Sequence, residues 1–448
     1  MQERIIDSVN IFQGTRGSTK PQEGTLYSKW NLLKGKAGNT SPSACLPFGN
    51  VACSPYSGGY SSGYGNFMLN YGEEPKTFFD GGKLIGFSHF THSGSGAFGF
   101  YYNYLVTVPF RNNITDIHTL KNIDEEKASV GYYACRFVED NIRSEVTIAD
   151  KVAIHRYTAL DNKPLKIAID ISNDGLKQQP WGESVFAYAQ ESEMRVENDS
   201  VVGYVVMQGV KLYYCIAGTS SPSLWLDKKP IFERKLQLGK TEKSFGCVFE
   251  VGNPTATLKI GFSLVSIENA KTSVLFSPNF DEAKRQAENE WEKRFSTIQL
   301  DAFFAFSDDN ALEDRFEGFN NETDMETPYF YHYVGRYDRI ARIMKECTRS
   351  CFQSGENGLP GNNDSGGLSA CYIWNFLGLF PISGQDKMFL GVPKAKKAIL
   401  RFSNGNTLTI LSEVTNGQTQ KFSFNGKLVE NYQISVKELL SGGELRFF

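Results

Sequence analysis

The chain has 448 residues, 40% of them apolar, enough for large buried cores and a prior of two to three domains. Its net charge is −3 and it carries no long basic run, which speaks against nucleic acid and anionic membranes as partners. No apolar run approaches the ~20 residues that a membrane-spanning helix needs.

The chain begins MQERIIDSVNIF, without the basic segment and apolar run of a secretory leader, and this favours the cytoplasm. From there to about residue 275 it reads as mostly β. Short runs rich in Val, Ile, Tyr and Phe recur between turn signals: YLVTVPF (104–110), SEVTIAD (144–150), KVAIHRYTAL (151–160), LKIAIDIS (165–172), VVGYVVMQG (201–209), KLYYCIAG (211–218) and TLKIGFSLVSI (257–267). Many short strands at regular spacing predict a large β-sandwich over residues 1–277. The glycines of SGGYSSGYGNF (57–67) and HSGSGAFGF (92–100) mark loops where the backbone approaches something closely.

Near residue 278 the pattern changes. PNFDEAKRQAENEWEKRFSTI (278–298) predicts a solvated connector helix with Asp281 as its N-cap. Helical signals continue through 309–318, 325–353 and 365–379. In DRIARIMKECTRSCF (338–352), Ile340, Ile343, Met344, Cys347 and Cys351 fall on one helical face. From about 389 the chain returns to β: KAILRF-SNGN-TLTIL and QKFSF-NG-KLVENYQISV read as hairpins with Asn-Gly turns. The fold class predicted is α+β, mainly β. A large sandwich (1–277) is followed by a helical segment (278–388) and C-terminal strands (389–448). The eight cysteines form neither a CxxC pair nor a zinc pattern with histidines, which favours reduced thiols.

Two stretches carry candidate chemistry. FEGFNNETDMETPYFYHYVGR (316–336) and GLPGNNDSGGLSACYIWNFLGLFP (358–381) both set Asn, Asp and Glu in turns beside helices. A hard cation such as calcium takes six to eight oxygen ligands. Asn320, Asn321, Glu322 and Asp364 are suitable donors, but only the fold can bring residues this far apart together. Plainer roles are available for the same residues. Asn362 and Asn363 can cap a helix beginning near Ser365, and Glu322 can serve a helix N-terminus. His89 and His92, in GFSHFTHSGSG (86–96), can anchor a loop, and His332 can be a packed helix residue. His118 and His155 receive no functional role. Aromatic residues, at 13%, suit sugar stacking as well as core filling.

Taken together, GLPGNNDSGGLSACYIWNFLGLFPISGQ resembles the signature of the calcium-dependent exo-α-mannosidases of glycoside hydrolase family 92. FNNETDMETPYFYHYVGR looks like that family's Asn-Glu-Pro segment and the aromatic helix after it. PFGNVACSP, GGYSSGYG and GFSHFTHSGSG resemble its β-domain. The resemblance implies inverting hydrolysis of a terminal α-mannoside. Calcium would hold the sugar's 2- and 3-hydroxyls, an aspartate would act as general base on water, and a glutamic acid would protonate the leaving oxygen. Carried over by position, Asp364 is the base and Asn362 takes the position of a neighbouring Asn or Asp. Glu322 is a calcium ligand through its side chain and Asn320 one through its carbonyl. His89 and His92 lie in a β-domain loop facing the sugar. The site is expected where the strand-rich half meets the helical half.

Departures from the family pattern are Asn363 for an acidic residue, Thr323 for Pro and Cys371 for Trp. The largest is a missing middle. The family's catalytic domain resembles a barrel of twelve helices, which at ~12 residues per helix plus loops needs on the order of 200–250 residues. Residues 278–388 supply far fewer, and the family's acid-bearing Thr-Glu-Gly-Asn-Ala-Trp-like segment is absent. This predicts an incomplete (α/α) barrel with an internal deletion near residues 296–300. Glu313, Glu317 and Glu326 are nearby carboxylates, and nothing nominates one as a substitute acid. Uncovered helix faces would favour self-association. The function expected is α-mannoside hydrolysis on mannose-containing glycans. The alternative is a non-catalytic, calcium-assisted glycan-binding remnant.

Overall fold

A computed structural model describes residues 4–15, 40–57, 63–64, 66–67, 78–79, 82–90, 104–172, 189–207, 209–241, 243–296, 298–301, 325–356, 358–360, 363–414 and 421–448. They fall into two compact units that part between Glu292 and Lys293.

In the first unit two antiparallel sheets enclose one core. Among the described residues, the first sheet runs Ala44–Cys45, Ala52–Tyr56, Gly86–His89, Tyr104–Phe110, Leu165–Asp170, Phe245–Val251, Pro222–Leu226, Lys229–Ile231. The second runs Lys235–Leu238, Glu191–Glu197, Ser200–Met207, Val210–Ala217, Thr255–Ser263, Val152–Ala159, Ile142–Ala149, Tyr132–Phe137, Lys121–Ser129, Lys83–Leu84. Each of the seven apolar runs read from the sequence contributes a strand. Residues from both sheets, among them Phe87, Tyr133, Phe137, Tyr157, Ile167, Phe249 and Phe262, form a single buried cluster. Burying each such side chain contributes about 1.5–3 kcal/mol. The architecture is mainly β with a sandwich first, as the sequence predicts.

The last run is shorter than its sequence suggests. Its strand stops at Ser263, and helix α1 (Ile267–Phe276) follows, with Ser266 Oγ accepting from Asn269 N. Ile267, Ala270 and Val274 supply the helical spacing and pack on the outer face of the second sheet. Gly261 makes room there: a Cβ would lie 2.6 Å from Val274 Cγ2.

Helix α2 (Phe280–Phe295) corresponds to the predicted connector, with two corrections. Its cap is Asn279, whose Oδ1 accepts from Glu282 N; Asp281 instead pairs with Arg156 at 2.8 Å. It is also more than a solvated connector. Phe280, Ala283 and Ala287 are buried, the Arg156 guanidinium lies 4.1 Å above the Phe280 ring, and Glu292 accepts from the backbone N–H groups of Ile5 and Ile6. Gly131, with φ +69, lets Ala287 approach where a Cβ would be 2.5 Å away.

The second unit holds a mixed sheet in the order Ile298–Asp301, Lys397–Arg401, Thr407–Ser412, Gly443–Phe447, Phe422–Phe424, Lys427–Leu428. The first C-terminal hairpin forms as read, whereas the second is shorter than read: its return strand is only Lys427–Leu428, and Gln433–Ile434 pairs in another sheet. In the second, Asn425 (φ 50) and Gly426 (φ 78) take the left-handed conformations of a type I′ turn. A three-stranded sheet joins Leu379–Pro381, Met388–Leu390 and Gln433–Ile434. Among the described residues the helices are two 3-10 helices (Thr327–Val334 and Asp364–Gly366), α3 (Tyr337–Ser350), α4 (Gly367–Leu377) and the short α5 (Val436–Leu440). They do not make a closed barrel. On α3, Ile340, Met344, Cys347 and Cys351 form the buried face that the sequence predicts. None of the eight cysteines forms a disulfide. The 309–318 helix and the two glycine-rich loops lie wholly or mostly outside the described residues.

Candidate active-site segments

Two stretches of the second unit converge. In the first, the 3-10 helix Thr327–Val334 ends at Gly335, whose φ of 68 admits the left-handed turn into α3. In the second, Asp364–Gly366 form one tight turn in which Ser365 (φ 49) and Gly366 (φ 78) are both left-handed. That conformation costs a non-glycine residue about 1–2 kcal/mol and marks Ser365 as held in place by its surroundings. The reversal delivers the chain into α4. The buried Asn363 fixes the helix start: its Oδ1 accepts from Ser369 N at 3.0 Å and its Nδ2 donates to Ser369 Oγ at 3.3 Å. Asn363 thus serves the first turn of α4 from three residues before the N-cap position, Gly366, which makes no side-chain bond, and Asn362 lies outside the described residues.

Gly367 brings the two stretches together. A Cβ there would lie 3.0 Å from Met325 Cε, and Met325 shares a buried cluster with Leu368 and Cys371. The contact falls three residues after Glu322 and three after Asp364. Deeper in, the Tyr329 hydroxyl donates to Asn375 Oδ1, and Asn375 Nδ2 donates to the Cys371 carbonyl at 2.8 Å. Cys371, where the family pattern has Trp, is buried, and desolvation raises its pKa to about 12. Tyr329 lies flat on Phe380 at 3.9 Å between ring centroids.

His332 stacks on Phe389 at 3.9 Å and meets Tyr337 edge-on at 5.0 Å. Its ring is buried and neither nitrogen has a hydrogen-bond partner among the described residues. Burial lowers its pKa to about 4, so it is neutral at pH 7. This is the packed residue that the plainer sequence reading anticipates. Phe330 and Tyr333 on the same 3-10 helix remain 55% and 67% exposed, the kind of aromatic surface on which sugars stack. A cavity of about 230 Å³ beside Tyr329 and Asn375 is also lined by Met344, Pro393 and Lys394. It presents no carboxylate among the described residues, and burial lowers the Lys394 pKa to about 8.

Of the residues read from the sequence, Asn320, Glu322, Asn362 and His92 lie outside the described residues, and Asp364 is described through its backbone. His89 is fully placed. It ends the strand Gly86–His89 rather than standing in a loop, and it is 0% exposed. Its Nδ1 lies 2.9 Å from the Leu105 carbonyl and 3.2 Å from that of Tyr104. Burial, opposed by those two bonds, lowers its pKa to about 4. Cys53 and His155 accompany it, and neither was singled out by spacing or motif.

Two family descriptions match the chain: the glycosyl hydrolase family 92 N-terminal domain over residues 8–263 and the family 92 catalytic domain over residues 299–448. The chain belongs to glycoside hydrolase family 92. Among solved structures, the family 92 α-mannosidase of Bacteroides thetaiotaomicron in complex with mannoimidazole is similar, with a TM-score of 0.74 and 14% identity over 99% of this chain and 94% of that one. A family 92 inverting mannosidase from strain VPI-5482 of that organism gives 0.70 and 11% over 100% and 97%. At these identities the likeness concerns the family 92 fold. A curated relative, an uncharacterized secreted glycosidase from Arthroderma benhamiae, is 30% identical over 131 residues, which is 28% of this chain and 17% of the relative's length. The catalytic-domain match begins directly after α2, and both converging stretches lie within it.

Proposed function

We propose that this family 92 chain is an inverting exo-α-mannosidase acting on the terminal mannose of a glycan, with Asp364 as the general base that takes a proton from the attacking water. The Met325–Gly367 contact supports the reading, because Met325 and Gly367, each three residues further along the chain than Glu322 and Asp364, meet in the second unit. An inverting mechanism keeps base and acid about 6.5–9.5 Å apart so that a water fits between base and sugar. Asn363 and the left-handed Ser365–Gly366 pair hold the backbone on either side of Asp364. Glu322, through its carboxylate, and Asn320, through its carbonyl, would hold calcium; both are oxygen donors of the kind a hard cation takes. Calcium, when bound, supplies charge–dipole contacts to the sugar hydroxyls. His92, and Asn362 beside Asp364, complete the residues assigned to the site.

The absence of the acid-bearing family segment from the sequence favours a second reading, in which the chain binds a mannose-containing glycan with calcium but does not turn it over. Losing a general acid lowers the rate by roughly 10²–10⁴. An aryl α-mannoside needs little help from an acid, so nitrophenol release is the direct test. Turnover by the wild type, β-mannose as the first-formed anomer and a fall of about 10²–10⁴ in Asp364→Asn are expected of the enzyme. Binding of mannose by calorimetry that vanishes with a chelator, without turnover, selects the binder. Neither turnover nor binding overturns both.

A further inference from the structure

The core of the sandwich contains a cluster that the mannosidase reading does not use. Cys53, His89 and His155 are each 0% exposed. Cys53 Sγ lies 3.6 Å from His89 Nε2 and 3.7 Å from His155 Nε2, and the two Nε2 atoms are 3.0 Å apart. Cys53 and His89 are cross-strand partners in the first sheet, whereas His155 belongs to the second. The three side chains therefore meet across the interface between the sheets.

The surroundings fix the tautomers. His89 Nδ1 faces only carbonyl oxygens, of Leu105 and Tyr104, so it carries the proton and Nε2 presents a lone pair. His155 Nδ1 lies 3.0 Å from the Tyr157 hydroxyl. That hydroxyl donates to Thr107 Oγ1, which in turn donates to the Phe87 carbonyl. Tyr157 therefore accepts from His155 Nδ1–H, and His155 Nε2 also presents a lone pair. Two lone pairs point at each other at 3.0 Å, and one thiol proton can serve only one of them. A ring N–H anchored to a carbonyl or hydroxyl, with the other nitrogen free, is how proteins orient a metal-binding imidazole.

We infer that Cys53, His89 and His155 form a buried site for one thiophilic transition-metal ion, Zn²⁺ or Cu⁺, which ties the two sheets of the sandwich together. With Zn–N near 2.0–2.1 Å and Zn–S near 2.3 Å, a tetrahedral ion sets N···N at about 3.3 Å and N···S at about 3.6 Å. The observed separations lie within a few tenths of an ångström of these. Thiolate and imidazole are the donors that zinc and cuprous ions prefer, and calcium is disfavoured by them. On binding, Cys53 gives up its thiol proton to solvent, and both imidazoles bind as neutral ligands. With Cu⁺ the ligated cluster is electrically neutral, which suits a core packed with Phe87 and Phe262 against the two rings. Because the site is enclosed, loading accompanies folding.

The test is metal content of the full chain expressed in zinc- and in copper-supplemented medium, dialysed against a chelator while folded, then measured by mass spectrometry. About one ion per chain that survives dialysis and is released on unfolding is expected. X-ray absorption should show one sulfur and two or more nitrogens, and the two growth media identify the ion. Refolding with Co²⁺ should give a thiolate-to-metal charge-transfer band. Cys53→Ser and His155→Gln should lose the ion, and Cys215→Ala, in the same unit but outside the cluster, should keep it. If the variants do not fold, the wild-type stoichiometry and ligation decide. Metal-free protein from both media that also refolds without taking up Co²⁺ overturns the site and leaves a neutral thiol between two neutral imidazoles in its place. A chelator-labile calcium ion would leave this outcome unchanged.

Discussion

Asn363 is where fold and proposed chemistry meet most closely, and replacing it with alanine separates them. The substitution removes the acceptor for Ser369 N and leaves the first turn of α4 uncapped beside Asp364. Removing a capping side chain costs about 0.5–2 kcal/mol, and an orphaned buried N–H about 1–3 kcal/mol. Both describe one lost bond, so they do not add, and about 1–2 kcal/mol is expected. For a unit of this size that lowers the melting temperature by roughly 2–8 °C. Asn363→Asp, which restores the acidic residue of the family pattern, keeps an acceptor for Ser369 N. The lost Nδ2 donor is replaced when the Ser369 hydroxyl turns to donate. It should melt within about 2 °C of the wild type. Scanning calorimetry of the two variants reads the difference, and aryl mannoside turnover on the same samples reads the consequence for the base. Equal melting of the alanine variant and the wild type would refute the argument that this side chain holds the turn.

The buried His332 gives a pH signature. Its folded pKa of about 4 lies below the ordinary 6.5, so between those values the unfolded chain binds more protons and stability falls as the pH drops. His332→Phe should flatten that limb, with a gain over wild type that grows from pH 7 to pH 4 and stays below about 3 kcal/mol; an unchanged pH profile by urea denaturation would contradict it. The ion pair of Lys121 with Asp140, at 2.6 Å and with both residues under 10% exposed, gives a second electrostatic test. Lys121→Met strands Asp140 and should cost about 3–5 kcal/mol, whereas Lys121→Met with Asp140→Leu should recover most of it. A double variant no more stable than the single one would show that packing, not charge, governs the site.

Much of this fold is legible because side-chain direction in a strand repeats every two residues. Leu165, Ile167 and Ile169 alternate with less apolar neighbours, and that pattern survives whatever lies across the sheet. The Asp364 stretch is legible for a local reason as well: glycines and asparagines are the residues that tolerate left-handed turns, and two such conformations occur at Ser365 and Gly366. Helix α1 was hidden by composition, since Leu264, Val265 and Ile267 continue an apolar strand without a break. The signal that could have revealed it is Ser266 followed by Ile267, Ala270 and Val274 at helical spacing.

The cysteine–histidine cluster had no such signal. Its members are 36 and 66 positions apart in order, on three strands in two sheets, with no short motif linking them. Two facts that only the fold supplies create it. The register pairs Cys53 with His89, and sheet packing sets His155 opposite them. A one-residue slip in any of the three strands would turn that side chain to the outer face and dissolve the cluster. The orientation of each ring depends on still more distant partners, Leu105 for one and Tyr157 through Thr107 for the other. Local spacing reports which residues share a face, whereas ligation here depends on which faces meet.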